Sequence, residues 1–258
     1  MTTNSKVALV TGGNRGIGAA IVRRLAEDGV DIALTYRTGE DEAEQVAGQV
    51  RELGRTAVAI KADLAEPDAA DAVVHAVLGE FGRWDVLVNN AGVMHWASVA
   101  TTDVAAADLL FAVDARAPLL LMRAAAAKMA DGGRIVNISS GVTAIALPGQ
   151  SLYSGVKAFL DQATKVAALE FGERGITVNA IGPGSTASGP FGHLSTSELA
   201  EAGSAFALGR IGTAEDTANV VAFLVSPDAG FVTGQIIYAQ GGQHGPVRGF
   251  SPAPISTT

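Results

Sequence analysis

A tyrosine and a lysine four positions apart are the side chains of this sequence best suited to chemistry. They are Tyr153 and Lys157 in the stretch LYSGVKAF, which lies in a segment of helical pattern. On a helix the two side chains share a face, and on a solvated surface such a pair contributes roughly a few tenths of a kcal/mol. In a cleft, a cation about 4 Å from the phenol is worth about 4 kcal/mol, enough to bring a tyrosine pKa from about 10 to about 7. The pair indicates either a surface contact or a proton donor that works near neutral pH.

A glycine-rich turn is the second chemical feature. The segment TGGNRGIG places Gly12, Gly16 and Gly18 between a predicted strand and a predicted helix. Glycines let the backbone approach a phosphate closely, and the helix N-terminus adds free N–H groups and partial positive charge. The spacing alone also suits a tight strand-to-helix corner. Its position after the first strand favours dinucleotide binding.

The end of the second predicted strand favours one dinucleotide over another. An acidic residue about 20 positions after the glycine turn marks dinucleotides without a 2′-phosphate. Here the place is taken by Thr35, Tyr36, Arg37 and Thr38, with no carboxylate. Arg37 and Arg15 suit pairing with a phosphate, although both are also compatible with ordinary surface positions. We therefore expect NADPH, with NADH less favoured.

Strand and helix patterns alternate along the whole chain. Short apolar segments typical of buried strands occupy 6–11, 31–36, 56–64, 85–92, 133–140, 176–184 and 234–242. Helical patterns occupy 19–29, 40–54, 67–82, 103–130, 152–173 and 214–228. With right-handed crossovers this order predicts an α/β fold with a doubly wound, parallel sheet. No internal linker or repeat is visible, so we expect residues 1–258 to form a single domain.

Two stretches depart from the alternation. Residues 185–212 are rich in Gly, Ser and Ala with weak periodicity, and we expect them to form a lid over the substrate site. Residues 243–258 include three prolines, which predicts an irregular C-terminal tail.

Composition excludes several classes of function. The net charge is −8 and no run of Lys or Arg is present, which argues against nucleic acid and anionic membranes as partners. No uncharged apolar stretch reaches the length of a membrane span, the N-terminus lacks the pattern of a signal peptide, and there is no cysteine. The four histidines are scattered singly, so we expect no metal site. A cytoplasmic protein is the resulting expectation.

Several motifs together resemble the short-chain dehydrogenase/reductase family. They are TGGNRGIG, NNAG at residues 89–92, a serine, YSGVK and NAIGPG, and they span about residues 5–242. The resemblance implies a single Rossmann domain with a mostly parallel seven-stranded sheet and helices on both faces, assembled as a homotetramer. It also implies hydride transfer between a nicotinamide and a carbonyl or alcohol.

The resemblance assigns roles to individual residues. It makes Ser140, Tyr153 and Lys157 the catalytic set, with Tyr153 protonating the carbonyl oxygen and Lys157 also holding the nicotinamide ribose. Thr186 and Ser188 compete for the carboxamide of the nicotinamide, and Asp63 contacts the adenine. The full set of expected cofactor-binding residues is Gly12, Asn14, Arg15, Gly16, Ile17, Gly18, Tyr36, Arg37, Thr38, Asp63, Leu64, Asn89, Ala91, Gly92, Tyr153, Lys157, Pro183, Gly184, Thr186 and Ser188.

One position departs from the family pattern. Where the family carries an asparagine in its long central helix, this chain has Asp114, in the segment VDARAP. The family role is implied to lie largely in the backbone carbonyl, which the change preserves. We count Asp114 with the catalytic residues, and our hypothesis is that its carboxylate steadies the Lys157 ammonium and shifts the pH profile.

The sequence therefore predicts an NADPH-dependent ketone reductase acting on a small molecule. A 3-oxoacyl-thioester reductase, a sugar or polyol dehydrogenase and a non-catalytic dinucleotide-binding regulator remain open alternatives. Arg116 and Arg123 are interpreted as interface or solvent charges rather than a docking site for an acyl carrier, and Trp84 as a packing residue. Six further residues are candidates for the substrate pocket: His95, Trp96, Leu147, Gln150, Phe191 and His193.

Overall fold

A seven-stranded sheet forms the centre of the molecule. The structure, a computed structural model, describes residues 5–187 and 194–243. Within these residues the strand order is β3-β2-β1-β4-β5-β6-β7, and every neighbouring pair is parallel. The strands are β1 (Val7–Val10), β2 (Asp31–Tyr36), β3 (Ala57–Lys61), β4 (Val86–Asn89), β5 (Arg134–Ile138), β6 (Thr177–Pro183) and β7 (Ile236–Ala239). The predicted doubly wound, seven-stranded sheet is confirmed.

Helices cover the two faces of this sheet. They are α1 (Gly16–Glu27), α2 (Glu40–Glu52), α3 (Ala69–Phe81), α4 (Val104–Phe111), α5 (Ala117–Lys128), α6 (Ser151–Phe171), α7 (Thr196–Gly203) and α8 (Ala214–Val225). Residues of α1, α2 and α8 pack on one face, and residues of α3, α5 and α6 on the other. In β1 the side chains of Ala8 and Val10 enter the first layer, whereas Val7 and Leu9 enter the second, because successive strand residues point to opposite faces. Burial on both faces explains why the strands are continuous apolar runs.

The central helical region, which the sequence predicts over 103–130, changes its hydrogen-bonding pattern part-way along. Between α4 and α5, residues Ala112–Arg116 form a π-helical turn, and the N–H of Ala117 bonds to the carbonyl of Ala112. Pro118 has no N–H to donate to the carbonyl of Asp114, four residues earlier, so the α-helical ladder cannot continue there. The predicted helical region is therefore present, with a π-helical turn inside it that carries Asp114.

A short helix occupies part of residues 185–212, where the sequence shows weak periodicity. Helix α7 begins at Thr196 after a capping box, in which Ser195 and Glu198 each bond the other's backbone N–H. Weak periodicity hid this helix, although the Ser-x-x-Glu pattern was a readable start signal. Thr186 and Gly212 form a parallel bridge at the two ends of the region.

Two absences apply to residues 5–187 and 194–243. In these residues no helix is long and apolar enough to cross a membrane. The same described residues contain no group of three or more His, Cys, Asp or Glu that is arranged to hold a metal ion.

Candidate active site

A cleft of about 650 Å³ runs along the carboxyl ends of the strands. Its lining comes from the segments that follow all seven strands, together with residues of the π-helical turn and of α6. In open α/β sheets this is the edge at which ligands bind, beside the point where strand order reverses. Here the order reverses between β1 and β4, and the residues that follow these two strands both line the cleft.

The glycine turn after β1 has the shape of a phosphate cradle. Gly12 and Gly16 have φ values of +62° and +55°, a conformation that favours glycine. A Cβ on Gly18 would lie 2.1 Å from the carbonyl oxygen of Gly12, so only glycine permits this close packing of helix on turn. The residues present therefore fit a pyrophosphate at the N-terminus of α1.

The turn after β4 fixes the glycine turn in place. The side-chain amide of Asn90 donates to the carbonyls of Thr11 and Gly12 at 2.8 Å and 3.0 Å. In return, the Thr11 hydroxyl oxygen accepts from the backbone N–H groups of Asn90 and Ala91 at 2.9 Å and 3.0 Å. These four bonds join the first and fourth strand exits into one rigid floor.

Two arginines stand at the outer end of the cleft. Arg15 and Arg37 are exposed and line it together with Thr38, and among the described residues neither has a salt-bridge partner. Asn14 closes this corner by donating to the carbonyl of Thr38 at 3.0 Å. Two unpaired guanidinium groups and no carboxylate on residues 35–38 fit a second phosphate on the ribose.

Lys157 and Asp114 form a buried ion pair at the inner end of the cleft. The Lys157 Nζ lies 2.9 Å from Asp114 Oδ1, and the two side chains are 5% and 0% exposed. Nζ also donates to the carbonyl of Ile138 at 3.0 Å, while Asp114 Oδ2 accepts from the N–H of Val93 at 2.9 Å. Burial lowers the pKa of Lys157, but Asp114 and Tyr153 raise it above its ordinary value. The neighbouring carboxylate therefore favours the charged form of the lysine.

Tyr153 lies beside this pair, one turn earlier on α6, and is 9% exposed. Its ring centroid is 5.8 Å from the Lys157 Nζ. Burial raises the pKa of Tyr153, the charge of Lys157 lowers it, Asp114 raises it, and a hydrogen bond with Ser140 lowers it; the net shift is upward. Asp114 and burial thus act against the lysine charge, so Lys157 by itself does not set the pKa of this phenol.

Most of the residues that the sequence singled out lie in this one cleft. Its lining includes the expected set Ser140, Tyr153, Lys157 and Asp114, and the expected cofactor contacts Gly12, Asn14, Arg15, Gly16, Ile17, Gly18, Tyr36, Arg37, Thr38, Asp63, Leu64, Ala91, Gly92, Pro183, Gly184 and Thr186. Trp96, Leu147 and Gln150 also line it, whereas His95 does not. Ser188, Phe191 and His193 lie outside the described residues.

Asn89 is the expected cofactor contact that the structure places elsewhere. It is buried, and its side-chain amide donates to Asn137 Oδ1 at 2.7 Å inside the sheet. The next residue, Asn90, lines the cleft instead. The motif locates the strand exit, but its two asparagines face opposite ways because side chains alternate along a strand. Trp84 is confirmed as a packing residue, 1% exposed beneath the sheet.

Sequence reasoning missed most of the apolar lining. Val93, Met94, Val142, Ile145 and Pro148 face the cleft, and no local pattern separates such residues from ordinary core positions. It also missed Gln243, whose Oε1 accepts from the N–H of Ser185 at 3.2 Å. These contacts depend on how distant loops meet.

Comparison with known proteins shows the family to which this chain belongs. A family model described as enoyl-(acyl carrier protein) reductase matches residues 12–244. The chain is 36% identical over 245 residues to hydroxynaphthalene reductase arp2 of Aspergillus fumigatus, covering 90% of each protein. It is also 36% identical over 251 residues to 3-oxoacyl-(acyl-carrier-protein) reductase of Staphylococcus aureus, covering 93% of this chain and 98% of the relative.

A solved structure shows the same architecture. A short-chain dehydrogenase of Burkholderia cenocepacia in complex with NADP superposes with a TM-score of 0.87 at 39% identity, covering 92% of this chain and 97% of that one. The chain belongs to the short-chain dehydrogenase/reductase family. It is an oxidoreductase, and the resemblance drawn from its motifs is confirmed.

Proposed function

We propose that this protein is an NADPH-dependent carbonyl reductase that converts a ketone to an alcohol. The observation that carries the proposal is that Tyr153, Ser140 and Lys157 line the same cleft as the glycine turn, with Tyr153 and Lys157 buried. A phenol that keeps its proton and faces a dinucleotide cleft is the arrangement that protonates a carbonyl oxygen while hydride reaches its carbon.

NADPH is the cofactor that the residues fit. The turn of Gly12, Gly16 and Gly18 would hold its pyrophosphate, and Arg15 and Arg37 its 2′-phosphate. When bound, NADPH supplies the hydride. The Burkholderia cenocepacia relative is a complex with NADP, which supports the same choice for this chain.

Four side chains supply the proton, hold the carbonyl oxygen and position the groups that do so. Tyr153 donates the proton to the carbonyl oxygen, and the charge of Lys157 acts against burial to lower the pKa of this phenol, which makes it a better acid. Ser140 holds the same oxygen through its hydroxyl. Lys157 stabilises the tyrosinate that forms, at a distance of 5.8 Å from the ring centroid. Asp114 is fully buried and contacts Lys157, so its role is to position the lysine rather than to touch the substrate.

We further propose a single domain, with the described parts of residues 185–212 as a lid, working in the cytoplasm, where NADPH is kept reduced. Residues 244–258 of the expected tail lie outside the described residues. The proposed assembly is a homotetramer. In its support, Phe159, Val166 and Leu169 are exposed on α6, and Phe111 of α4 lies with its ring 5.9 Å from that of Phe159. Sedimentation at micromolar concentration measures the assembly, and a monomer would contradict it.

A 3-oxoacyl-thioester reductase is the second candidate, because a reductase with that name is a relative over most of the chain. This activity needs a basic surface for the acyl carrier. Arg116 instead donates to the carbonyl of Ala65, and Arg123 pairs with Asp71 at 2.8 Å. Both arginines are occupied within the α3–α5 layer, which favours a free small ketone.

Single-turnover oxidation of bound NADPH tests the proposal. A panel of ring ketones, open-chain ketones and acyl thioesters is mixed with the protein, and NADPH fluorescence is followed. We expect rapid oxidation with at least one ketone and tighter binding of NADPH than of NADH. Tight NADPH binding without oxidation by any carbonyl compound would contradict the proposal and favour a regulator.

A further inference from the structure

The wall of the cleft beyond Ser140 and Tyr153 is uncharged. Among the described residues it consists of Val93, Met94, Trp96, Val142, Ile145, Leu147, Pro148 and Gln150. The charged residues that line the described part of the cleft are Arg15, Arg37, Asp63, Asp114 and Lys157, at the dinucleotide end or in the buried ion pair. A ligand that leaves water for this wall must itself be largely apolar, since an unpaired charge is costly to bury.

Trp96 gives this wall a flat aromatic surface, and Gly149 sets its position. Gly149 has a φ of +81°, and a Cβ there would lie 2.1 Å from the Trp96 Nε1. The carbonyl of Gly149 accepts from the N–H of Ala97 at 3.0 Å, which joins the two loops. The indole is thus packed directly on backbone, and rings stack well on such a surface.

Gln150 adds one polar group to the apolar wall. It is 2% exposed, and its Oε1 is buried without a hydrogen-bond partner among the described residues. It is the N-cap residue of α6, three positions before Tyr153, and both residues line the cleft. A buried amide oxygen without a partner is unfavourable, and a ligand hydroxyl would satisfy it.

We infer that the substrate is an uncharged, flat ring ketone that carries a separate hydroxyl group. The ring packs on Trp96 and the aliphatic wall, the hydroxyl donates to Gln150 Oε1, and the carbonyl oxygen meets Tyr153 and Ser140. Hydride adds to the carbonyl carbon and the Tyr153 proton to its oxygen, while the second hydroxyl is unchanged. This inference rests on the proposed ketone reduction and names the substrate class of that site.

Matched ketones test the role of the hydroxyl. The kcat/KM with NADPH is measured for 1-tetralone and for 5-, 6- and 7-hydroxy-1-tetralone. We expect at least one hydroxylated isomer to exceed the parent ketone about tenfold, the value of one well-placed hydrogen bond. In Gln150→Leu that ratio falls to about one. In the control Gln49→Leu it is unchanged, because Gln49 also has a buried, unpartnered Oε1 but lies outside this cleft.

A second variant, Trp96→Leu, tests the inference even if Gln150→Leu fails to fold. In Trp96→Leu we expect kcat/KM for the ring ketones to fall about tenfold relative to that for open-chain ethyl acetoacetate. Equal rates for all four tetralones in the wild type, or a hydroxyl preference that survives in Gln150→Leu, would overturn the inference. So would a preference for acetoacetyl-coenzyme A over every ring ketone, which leaves the proposed ketone reduction standing. Failure to reduce any carbonyl compound would overturn the proposed function itself.

Discussion

The two ends of the cleft are built in different ways. At the dinucleotide end, turns directly after the strands present backbone groups, and side chains such as Asn90 and Thr11 serve to hold that backbone still. At the substrate end, side chains from the loops after β4 and β5 form the surface, with Trp96 against Gly149 as an example. A ligand of constant shape can be held by fixed backbone geometry, whereas the identity of a particular ketone has to be read by side chains.

Tyr153, where the two ends meet, carries the largest expected effect. Tyr153→Phe removes the proton donor but little volume, so we expect kcat for ketone reduction to fall about 10²- to 10⁴-fold. The dissociation constant of NADPH, measured by fluorescence titration, stays within about twofold, because the dinucleotide end holds the cofactor independently. A variant that keeps wild-type kcat would show that the proton comes from another group.

Arg37→Ala tests the dinucleotide end by itself. Loss of a charge-assisted contact to the 2′-phosphate should lower the NADPH-over-NADH preference in kcat/KM about 10- to 100-fold. The ranking of ketones should be unchanged. Arg55→Ala is the matched control, since its guanidinium donates to the carbonyls of Gly29 and Gly54, which precede β2 and β3 and so lie at the amino ends of the strands, away from the cleft. An unchanged cofactor preference in Arg37→Ala would place the 2′-phosphate elsewhere.

Asp114→Asn tests whether the buried carboxylate tunes the proton donor. Asp114 raises the pKa of both Lys157 and Tyr153, so removing its charge lowers both. Reduction requires protonated Tyr153, and the alkaline limb of the kcat profile should therefore move to lower pH. The exposed Asp108→Asn on α4 is the control. Superimposable pH profiles for wild type and Asp114→Asn would show that the charge has no such effect.

Asp216→Asn carries the smallest expected effect. It removes the carboxylate that pairs with Arg210 at the end of the proposed lid. Asp216 accepts from Arg210 at 2.6 Å and 2.8 Å and from the N–H of Thr213 at 2.8 Å. We expect the free energy of unfolding to fall by about 1 kcal/mol at neutral pH, as measured by urea denaturation.

The pH dependence of that loss has a defined sign. The Arg210 guanidinium lowers the pKa of Asp216 to about 2, below its unfolded value of about 3.9. The stabilisation is therefore present above pH 4 and is lost as pH falls towards 2. The exposed Asp228→Asn serves as control, and a difference between wild type and Asp216→Asn that is as large at pH 2 as at pH 7 would contradict the assignment.

Local signals account for what was predictable. The seven strands were readable because burial on both faces makes each a continuous apolar run, and the glycine turn because Gly12 and Gly16 need a conformation that other residues avoid. The choice of Asn89 over Asn90 failed, because a motif locates a strand exit but not the face to which each side chain points. The π-helical turn was missed because Pro118 acts on a carbonyl four residues earlier.

The fold class, the phosphate-binding turn and the spacing of Tyr153 and Lys157 on one helix could all be read from the chain, since each depends on residues close together in it. The electrostatics of the site could not, because they arise from folding. Folding brings Asp114 from another helical segment to within 2.9 Å of the Lys157 ammonium, and it buries Tyr153, which raises the pKa of the phenol against the effect of the lysine. Charge interactions and desolvation depend on distance and burial, and both are set by the packing of segments far apart in sequence.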